Sequence, residues 1–207
     1  ISAMLSSISA IKANDLQTAL VTASDYRPAP PGSPEELLYG DGAAAFLLGK
    51  ENVLVEYLGS CSISVDFPAH YRKNDSSFDY KWEPRWASDV GFVPIVCKTI
   101  STLMQKLNIT IDEVNTMVIP VPSWAVHKKI VTELGVPSNK IVDPLIDTVG
   151  DTGTAHPFIL LTSALTNASP GQTIICVGIG SGCDAVAFRT TELITHACCK
   201  NSLQTAL

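Results

Sequence analysis

The apolar positions of this chain change period several times, and each change marks an element. Ile1, Met4, Leu5, Ile8 and Ile11 repeat at helical spacing. "LQTALVTASD" then reads as a strand ending at Asp25, and a loop with Pro28, Pro30, Pro31 and Pro34 follows. "GDGAAAFLLG" and "NVLVEYLGSCSIS" read as two strands. Residues 66–92 show no period and predict a long loop or insertion pinned by aromatics such as Trp82 and Trp86. Val93, Val96, Ile100, Leu103, Met104 and Leu107 predict an amphipathic helix. "NTMVIPVP" is a short strand stopped by prolines. "SWAVHKKIVTELG" is a helix with Ser123 as N-cap and Gly135 as its stop. "KIVDPL" reads as a short strand or edge. From Thr154 to Asn167 a helix is apolar around nearly its whole circumference, so it is buried on all sides. "QTIICVGIGSGCDAVAFRT" is strand, glycine-rich turn, strand. The tail from Thr191 reads as surface helix or frayed chain.

The alternation of helices and strands in the second half predicts an α/β class. There is also an internal echo. "IKANDLQTALVTASD…GDGAAAFLLG" and "ALTNASPGQTIICVGIGSGCDAVAFRT" share one plan: apolar helix, polar turn, strand, glycine turn, then small residues and a Phe (Phe46, Phe188). Two such units suggest a duplication, with the first copy cut short at its start. The organisation expected is 1–65 as the remainder of a first half, 66–92 as insertion, 93–190 as a second half and 191–207 as tail.

Composition narrows the function classes. Of 207 residues, 46% are hydrophobic and only 16% charged, which suggests a large core together with a buried interface. The net charge of −6 argues against non-specific nucleic-acid binding. The six cysteines, Cys61, Cys97, Cys176, Cys183, Cys198 and Cys199, lack the spacing of a zinc site, so no metal is expected. They read as buried thiols in a reducing compartment. No signal peptide and no bilayer-spanning run is expected, which gives a cytoplasmic reading without membrane contact. The chain opens inside a helix without a cap, as a piece of a longer protein would.

Candidate chemistry centres on "VGDTGTAHPFILL", Val149–Leu161. A turn ending at a helix N-terminus offers free N–H groups and a positive dipole end. Asp151 could simply cap that helix, or act as a base if burial raises its pKa. His156, in the first turn, is either a core residue or an acid–base group; the helix dipole there favours neutral imidazole. "GIGSG" lacks the following helix that a dinucleotide site needs, so it reads as a tight turn whose N–H groups face a cleft, or as a plain hairpin. In "GDGAAAF", small residues allow close packing of a second backbone, and Asp41 reads as a turn residue. His127, beside Lys128 and Lys129, is expected to face solvent.

The duplication, "GDGAAAFLLG", the "GDT" turn before a buried helix and "GIGSG" resemble the thiolase superfamily. The nearest branch is that of 3-hydroxy-3-methylglutaryl-CoA synthase and ketoacyl synthase III, in a bacterial or archaeal synthase-like subgroup. The resemblance runs to about Thr190. It implies a layered α-β-α-β-α fold with the N-terminal half incomplete, and Claisen-type chemistry on acyl-CoA thioesters. In such chemistry a Cys is acylated, a second thioester supplies a carbanion, and backbone N–H groups hold the oxyanion. By this resemblance the nucleophile falls about four positions before Ile1, and no cysteine here matches it. Pro120 stands where the family's His would be, and Asp151 where its Asn would be. The Ser181 N–H would supply half of the oxyanion hole, with Gly180 and Gly182 as cofactor-binding neighbours.

The reading is therefore an acyl-CoA-dependent carbon–carbon bond-forming acyltransferase lacking its nucleophile region, inactive as this chain alone. The alternatives are thiolytic or retro-aldol cleavage of a β-keto- or β-hydroxyacyl-CoA, or a non-catalytic subunit. No cofactor is expected beyond coenzyme A thioester as substrate. Expected partners are acyl-CoA, a second copy in a homodimer and a small zinc-ribbon/OB-fold protein docking on 66–92.

Overall fold

The computed structural model describes residues 1–68, 70–71 and 73–196. Helix α1 (Ser2–Lys12) leads through β1 (Ala19–Asp25) and β2 (Gly42–Leu48) to β3 (Val55–Ser64). A small hairpin, β4 (His70–Tyr71) and β5 (Tyr80–Lys81), precedes α2 (Pro84–Trp86) and α3 (Val93–Leu107). Then come β6 (Thr116–Val118), α4 (Trp124–Leu134), α5 (His156–Thr166), β7 (Thr173–Gly180) and β8 (Gly182–Thr190).

The main sheet has the order β3-β8-β7-β6, with β6 parallel to β7 and the other pairs antiparallel. Its strands alternate sides as a two-sided buried sheet must. Ile175, Val177, Ala185 and Ala187 join the core under α3 and α4, whereas Ile174, Cys176, Val186 and Phe188 join the core that holds Met4 of α1 and Phe158, Leu160 and Leu161 of α5. That second core also takes in Val21, Ala23, Ala44 and Phe46 from the two-stranded sheet β1–β2. The layers therefore run α3/α4, main sheet, α1/α5, small sheet. This is an α/β arrangement of four layers among the described residues, in keeping with the layered fold that the resemblance implies. The outer face of the small sheet is bare: Leu20 and Leu47, directly paired, are 67% and 74% exposed.

The position of α5 between two sheets explains its all-round apolar sequence, and Phe46 meets Phe158 edge-on at 5.2 Å. The internal echo is structural too: α1 precedes the antiparallel pair β1–β2 as α5 precedes β7–β8. Ser123 caps α4 by accepting the Val126 N–H, and Gly135 ends it at φ +64°. "KIVDPL" supplies one parallel bridge, Ile141 to Met117.

Four expectations need correction. The 66–92 segment is not a loop throughout. It holds the β4–β5 hairpin, and 84–92 are already helical, running as α2 and a π-helical turn (Ala87–Phe92) into α3. Pro94 lies within this run, directly after the π-helical turn, whose wider winding absorbs its missing N–H. Second, this continuous stretch, Pro84–Leu107, is long and apolar enough by length and composition to cross a membrane, where no such run was expected. More than half of its apolar window is buried in the fold. Third, His127 is half-buried rather than turned out to solvent. Its ring stacks edge-on against Trp124 at 5.6 Å, and its Nε2 is buried without a hydrogen-bond partner among the described residues. Burial lowers its pKa against the opposing pull of Asp143. Fourth, the tail forms a 3-10 turn over Glu192–His196; residues 197–207, with Cys198 and Cys199, lie outside the described residues.

Candidate active site

The site is built where the loop before α5 meets the connection between β1 and β2. Asp143 Oδ1 accepts the Leu145 N–H at 2.8 Å. Leu145 sits at φ +53°, a conformation costly for a branched side chain, and its carbonyl accepts the N–H groups of Val149 and Gly150 at 2.9 and 3.0 Å. That tight loop delivers Gly150 and Asp151 to Tyr39 and Gly40. Asp151 N–H donates to the Leu38 carbonyl at 2.7 Å, and Gly40 N–H donates to the Asp151 carbonyl at 3.1 Å. The small residues of "GDGAAAF" serve this approach. A Cβ on Gly42 would come within 2.8 Å of Ile159 and 2.9 Å of Thr152.

Two carboxylates occupy the start of the helix. Asp151 Oδ1 accepts the Gly153 N–H at 2.9 Å, and Asp25, at the end of β1, accepts the Thr154 N–H at 3.0 Å. Both satisfy donors that the helical turn leaves free and both complement its dipole. Asp151 Oδ2 also pairs with Arg27 Nη1 at 2.5 Å. Arg27 is buried, its side chain 5% exposed. Its Nη2 lies 3.6 Å from Asp79 on the hairpin segment, and its guanidinium carbon lies 3.8 Å above the Tyr39 ring. Burial works to lower the Arg27 pKa, but the attraction of Asp151, Tyr39 and Asp79 outweighs it and the net shift is upward. Asp41 accepts the Arg27 backbone N–H at 3.0 Å, so it is a turn residue that steadies Arg27.

His156 lies one turn on, buried at 2% exposure. Its Nδ1 meets the hydroxyl of buried Thr152 at 3.2 Å. Its Nε2 finds no hydrogen-bond partner among the described residues. Burial lowers its pKa; Asp151 and the nearby Pro144 carbonyl oppose this and Arg27 reinforces it, leaving the ring neutral at pH 7.

Asp151 and His156 are thus brought together, with Thr152 between them. The glycine turn is not beside them. Cys176 of β7 packs under the α5 start, its thiol 3.8 Å from the Pro157 carbonyl. Ser181 lies five residues further, about 17 Å along an extended strand. Gly180 and Ser181 are exposed, and the Ser181 carbonyl accepts the Val65 N–H at 3.3 Å. Gly182 is at φ +121°, and a Cβ there would collide with the Ile63 carbonyl, so this turn needs glycine. Between the two features, Gly178 packs against Ile1 at the mouth of α1, and Ser2 donates a short hydrogen bond to Asp184. The two strands of the hairpin, the start of α1 and the start of α5 therefore share one end of the central layer.

Arg27, Asp25 and Asp79 were not anticipated. The available signal was a lone Arg in a proline-rich loop just after a strand. Three of the four described cysteines are thiols that burial disfavours as thiolates. Burial raises Cys97 to about 11 and both Cys176 and Cys183 to about 12, and Cys61 is only partly buried. No group of three or more metal-ligating side chains occurs among the described residues.

Residues 104–189 match the family 3-oxoacyl-[acyl-carrier-protein] synthase III C terminal. The chain is 26% identical over 182 residues to a hydroxymethylglutaryl-CoA synthase of Methanopyrus kandleri, covering 86% of this chain and 52% of that protein. It is 27% identical over 173 residues to one of Thermococcus gammatolerans, covering 82% and 49%. Among solved structures, an HMG-CoA synthase complexed with CoA superposes with a TM-score of 0.78 at 16% identity, over 99% of this chain and 57% of that one. A 3-oxoacyl-(acyl carrier protein) synthase III from Pseudomonas aeruginosa PAO1 gives 0.77 at 20% identity, over 90% and 62%. The chain spans about half the length of the curated relatives it matches.

Proposed function

We propose that the chain is the C-terminal portion of a condensing acyltransferase acting on acyl-CoA thioesters, a reading supported by its similarity to hydroxymethylglutaryl-CoA synthases and to the C-terminal region of 3-oxoacyl synthases III. The observation that carries this is the start of α5, where a buried imidazole, held at Nδ1 by Thr152 and facing the Pro144 carbonyl, lies one turn from a fixed carboxylate. His156 is the acid–base group: neutral at pH 7, it accepts the proton taken from the α-carbon of the donor thioester. Asp151 is not that base. Its Oδ2 is committed to Arg27 and its Oδ1 to the Gly153 N–H, so it holds the turn that carries His156. Coenzyme A thioester is the substrate rather than a resident cofactor.

One observation favours a second reaction. Pro120, buried just beyond β6, has no proton to give, and retro-aldol cleavage of a β-hydroxyacyl-CoA, in which His156 takes the hydroxyl proton and returns it to the α-carbon, asks nothing of that position, whereas thiolytic cleavage is the reverse of condensation and needs the same groups. The proposal also carries a homodimer, and a zinc-ribbon/OB-fold partner on the 66–92 segment, where Tyr80 (54%) and Trp82 (44%) are exposed.

The test incubates the polypeptide that carries this chain with short acyl-CoA and β-ketoacyl-CoA thioesters, separately and together, reading free CoA and product mass. Condensation gives a longer product only from the pair. Thiolytic cleavage shortens the β-ketoacyl-CoA only when free CoA is added as acyl acceptor, and retro-aldol cleavage shortens a β-hydroxyacyl-CoA without it. His156→Gln, which preserves a hydrogen bond to Thr152, should lower turnover by about 10²- to 10⁴-fold with acyl-CoA binding retained. Full turnover in that variant, or no CoA release from any thioester, overturns the proposal.

A further inference from the structure

Arg27 lies in the connection between β1 and β2, outside every motif that pointed to the site, yet three segments converge on it. The turn before α5 supplies Asp151 at 2.5 Å, the hairpin segment supplies Asp79 at 3.6 Å, and the same connection supplies the Tyr39 ring at 3.8 Å. A guanidinium this deeply buried is costly unless charges and a ring face meet it. Asp151, its side chain 17% exposed, meets Arg27 with one oxygen and the Gly153 N–H with the other, so both of its oxygens are engaged by the protein.

We propose that Arg27 is a positioning residue of this site, holding Asp151 as a carboxylate against the α5 start and thereby setting the charge that His156 experiences. It does not touch His156. It acts through Asp151, which shares the turn with Thr152, the hydrogen-bond partner of the imidazole. The physical effect is that of a balanced pair. Asp151 alone would pull a proton onto His156; Arg27 opposes that pull directly and also through its hold on the carboxylate. The groups that face the imidazole are few: Asp151 and Thr152 from the turn, Arg27 from the β1–β2 connection and the Pro144 carbonyl from the preceding loop. The carboxylate of Asp25, from β1, is turned to the Thr154 N–H, and that of Asp79 stands beyond Arg27. An Asp at position 151 is compatible with a neutral base one turn away because its charge is cancelled locally. This inference rests on His156 as the acid–base group only for its consequence; its readout needs no substrate.

The experiment is an NMR titration of the His156 ring in the polypeptide that carries this chain, with His156→Gln used to assign the signal. Arg27→Gln removes the opposing charge, and the His156 midpoint should rise by at least about half a pH unit, the scale of one nearby charge on a buried group. Asp151→Asn removes the attracting charge and leaves Arg27, so the midpoint should fall. Arg27→Gln with Asp151→Asn should return it near the starting value, and Arg27→Lys, which keeps the charge, should leave it there. A purely structural Arg27 would lower stability in each variant without opposite movements of the midpoint. Should Arg27→Gln not fold, the double variant still decides, since its midpoint must lie above that of Asp151→Asn, from which it differs only at position 27. Equal midpoints in all variants, or shifts of one sign in Arg27→Gln and Asp151→Asn, overturn the assignment. Failure of the thioester assay with these shifts intact would instead sink only the acyltransferase proposal.

Discussion

Gly40 and Val149 approach so closely that a Cβ on Gly40 would overlap the Val149 carbonyl oxygen. The obstacle is backbone on both sides, so no side chain can swing away to relieve it. Gly40→Ala should therefore cost about 3 kcal/mol, the upper end of overpacking effects, because the turn carrying Asp151 must be pushed off Tyr39 and Leu38. Urea unfolding measures it. Gly171→Ala, with open space around its Cβ but φ +77°, should cost only about 1 kcal/mol and separates strain from collision.

Asp25 joins β1 to the α5 start through the Thr154 N–H. Asp25→Ala removes a cap and a dipole partner, and a loss of about 1 to 2 kcal/mol is expected in chemical denaturation. Asp25→Asn keeps the acceptor and should recover most of that loss. Equal losses would mean that charge, not the hydrogen bond, is what this position supplies.

Two imidazoles make the fold acid-sensitive. His127 and His156 both have pKa values lowered from 6.5, in each case by burial first. The unfolded chain binds protons at these positions before the folded one does. Their contribution is thus intact above about pH 6.5 and is lost as pH falls from there through the folded pKa values. Melting temperature should fall between pH 7 and 5. His127→Gln should flatten that fall without touching Asp151 or Arg27. A fall unchanged in both His127→Gln and His156→Gln would place the acid sensitivity elsewhere.

The layers were readable because period and composition report burial directly. An all-apolar α5 has to sit between two sheets, and a Ser-to-Gly frame around 123–135 has to bound a helix. The centre of the site was only half readable. Asp151 and His156 lie in one stretch and announce themselves, but the charge that balances Asp151 comes from Arg27, far away in sequence, and no local spacing encodes that pairing. His127 was misplaced by its sequence neighbours. Lys128 and Lys129 do not share its side of the helix, whereas buried Val126 and Ile130 bracket the inward-facing side that its ring joins. The helical start at Pro84 carried a signal in "EPRW". Glu83 accepts the N–H groups of Arg85 and Trp86, but Gly91 and Pro94 downstream read as breakers. A π-helical turn absorbs them.

The aromatics of 66–92 form a chain of ring contacts whose ends differ in burial, and that difference is testable. Phe67 is 5% exposed, packs on Trp86 at 5.0 Å and Phe92 at 6.0 Å, and fills the space left by Gly91. Trp82 touches Trp86 at 5.3 Å and Tyr80 at 6.3 Å but remains 44% exposed. If the inner ring locks the π-helical turn to the end of β3, Phe67→Ala should cost about 3 to 5 kcal/mol, as a buried aromatic truncation does. Trp82→Ala should cost less than about 1 kcal/mol, since its ring leaves half of its surface in water either way. The Trp82 variant would then retain stability while losing whatever the exposed face binds, so it is the variant to use when the proposed partner on this segment is titrated. A loss from Trp82→Ala as large as that from Phe67→Ala would show that the outer rings are part of the core and would remove this face as a docking surface.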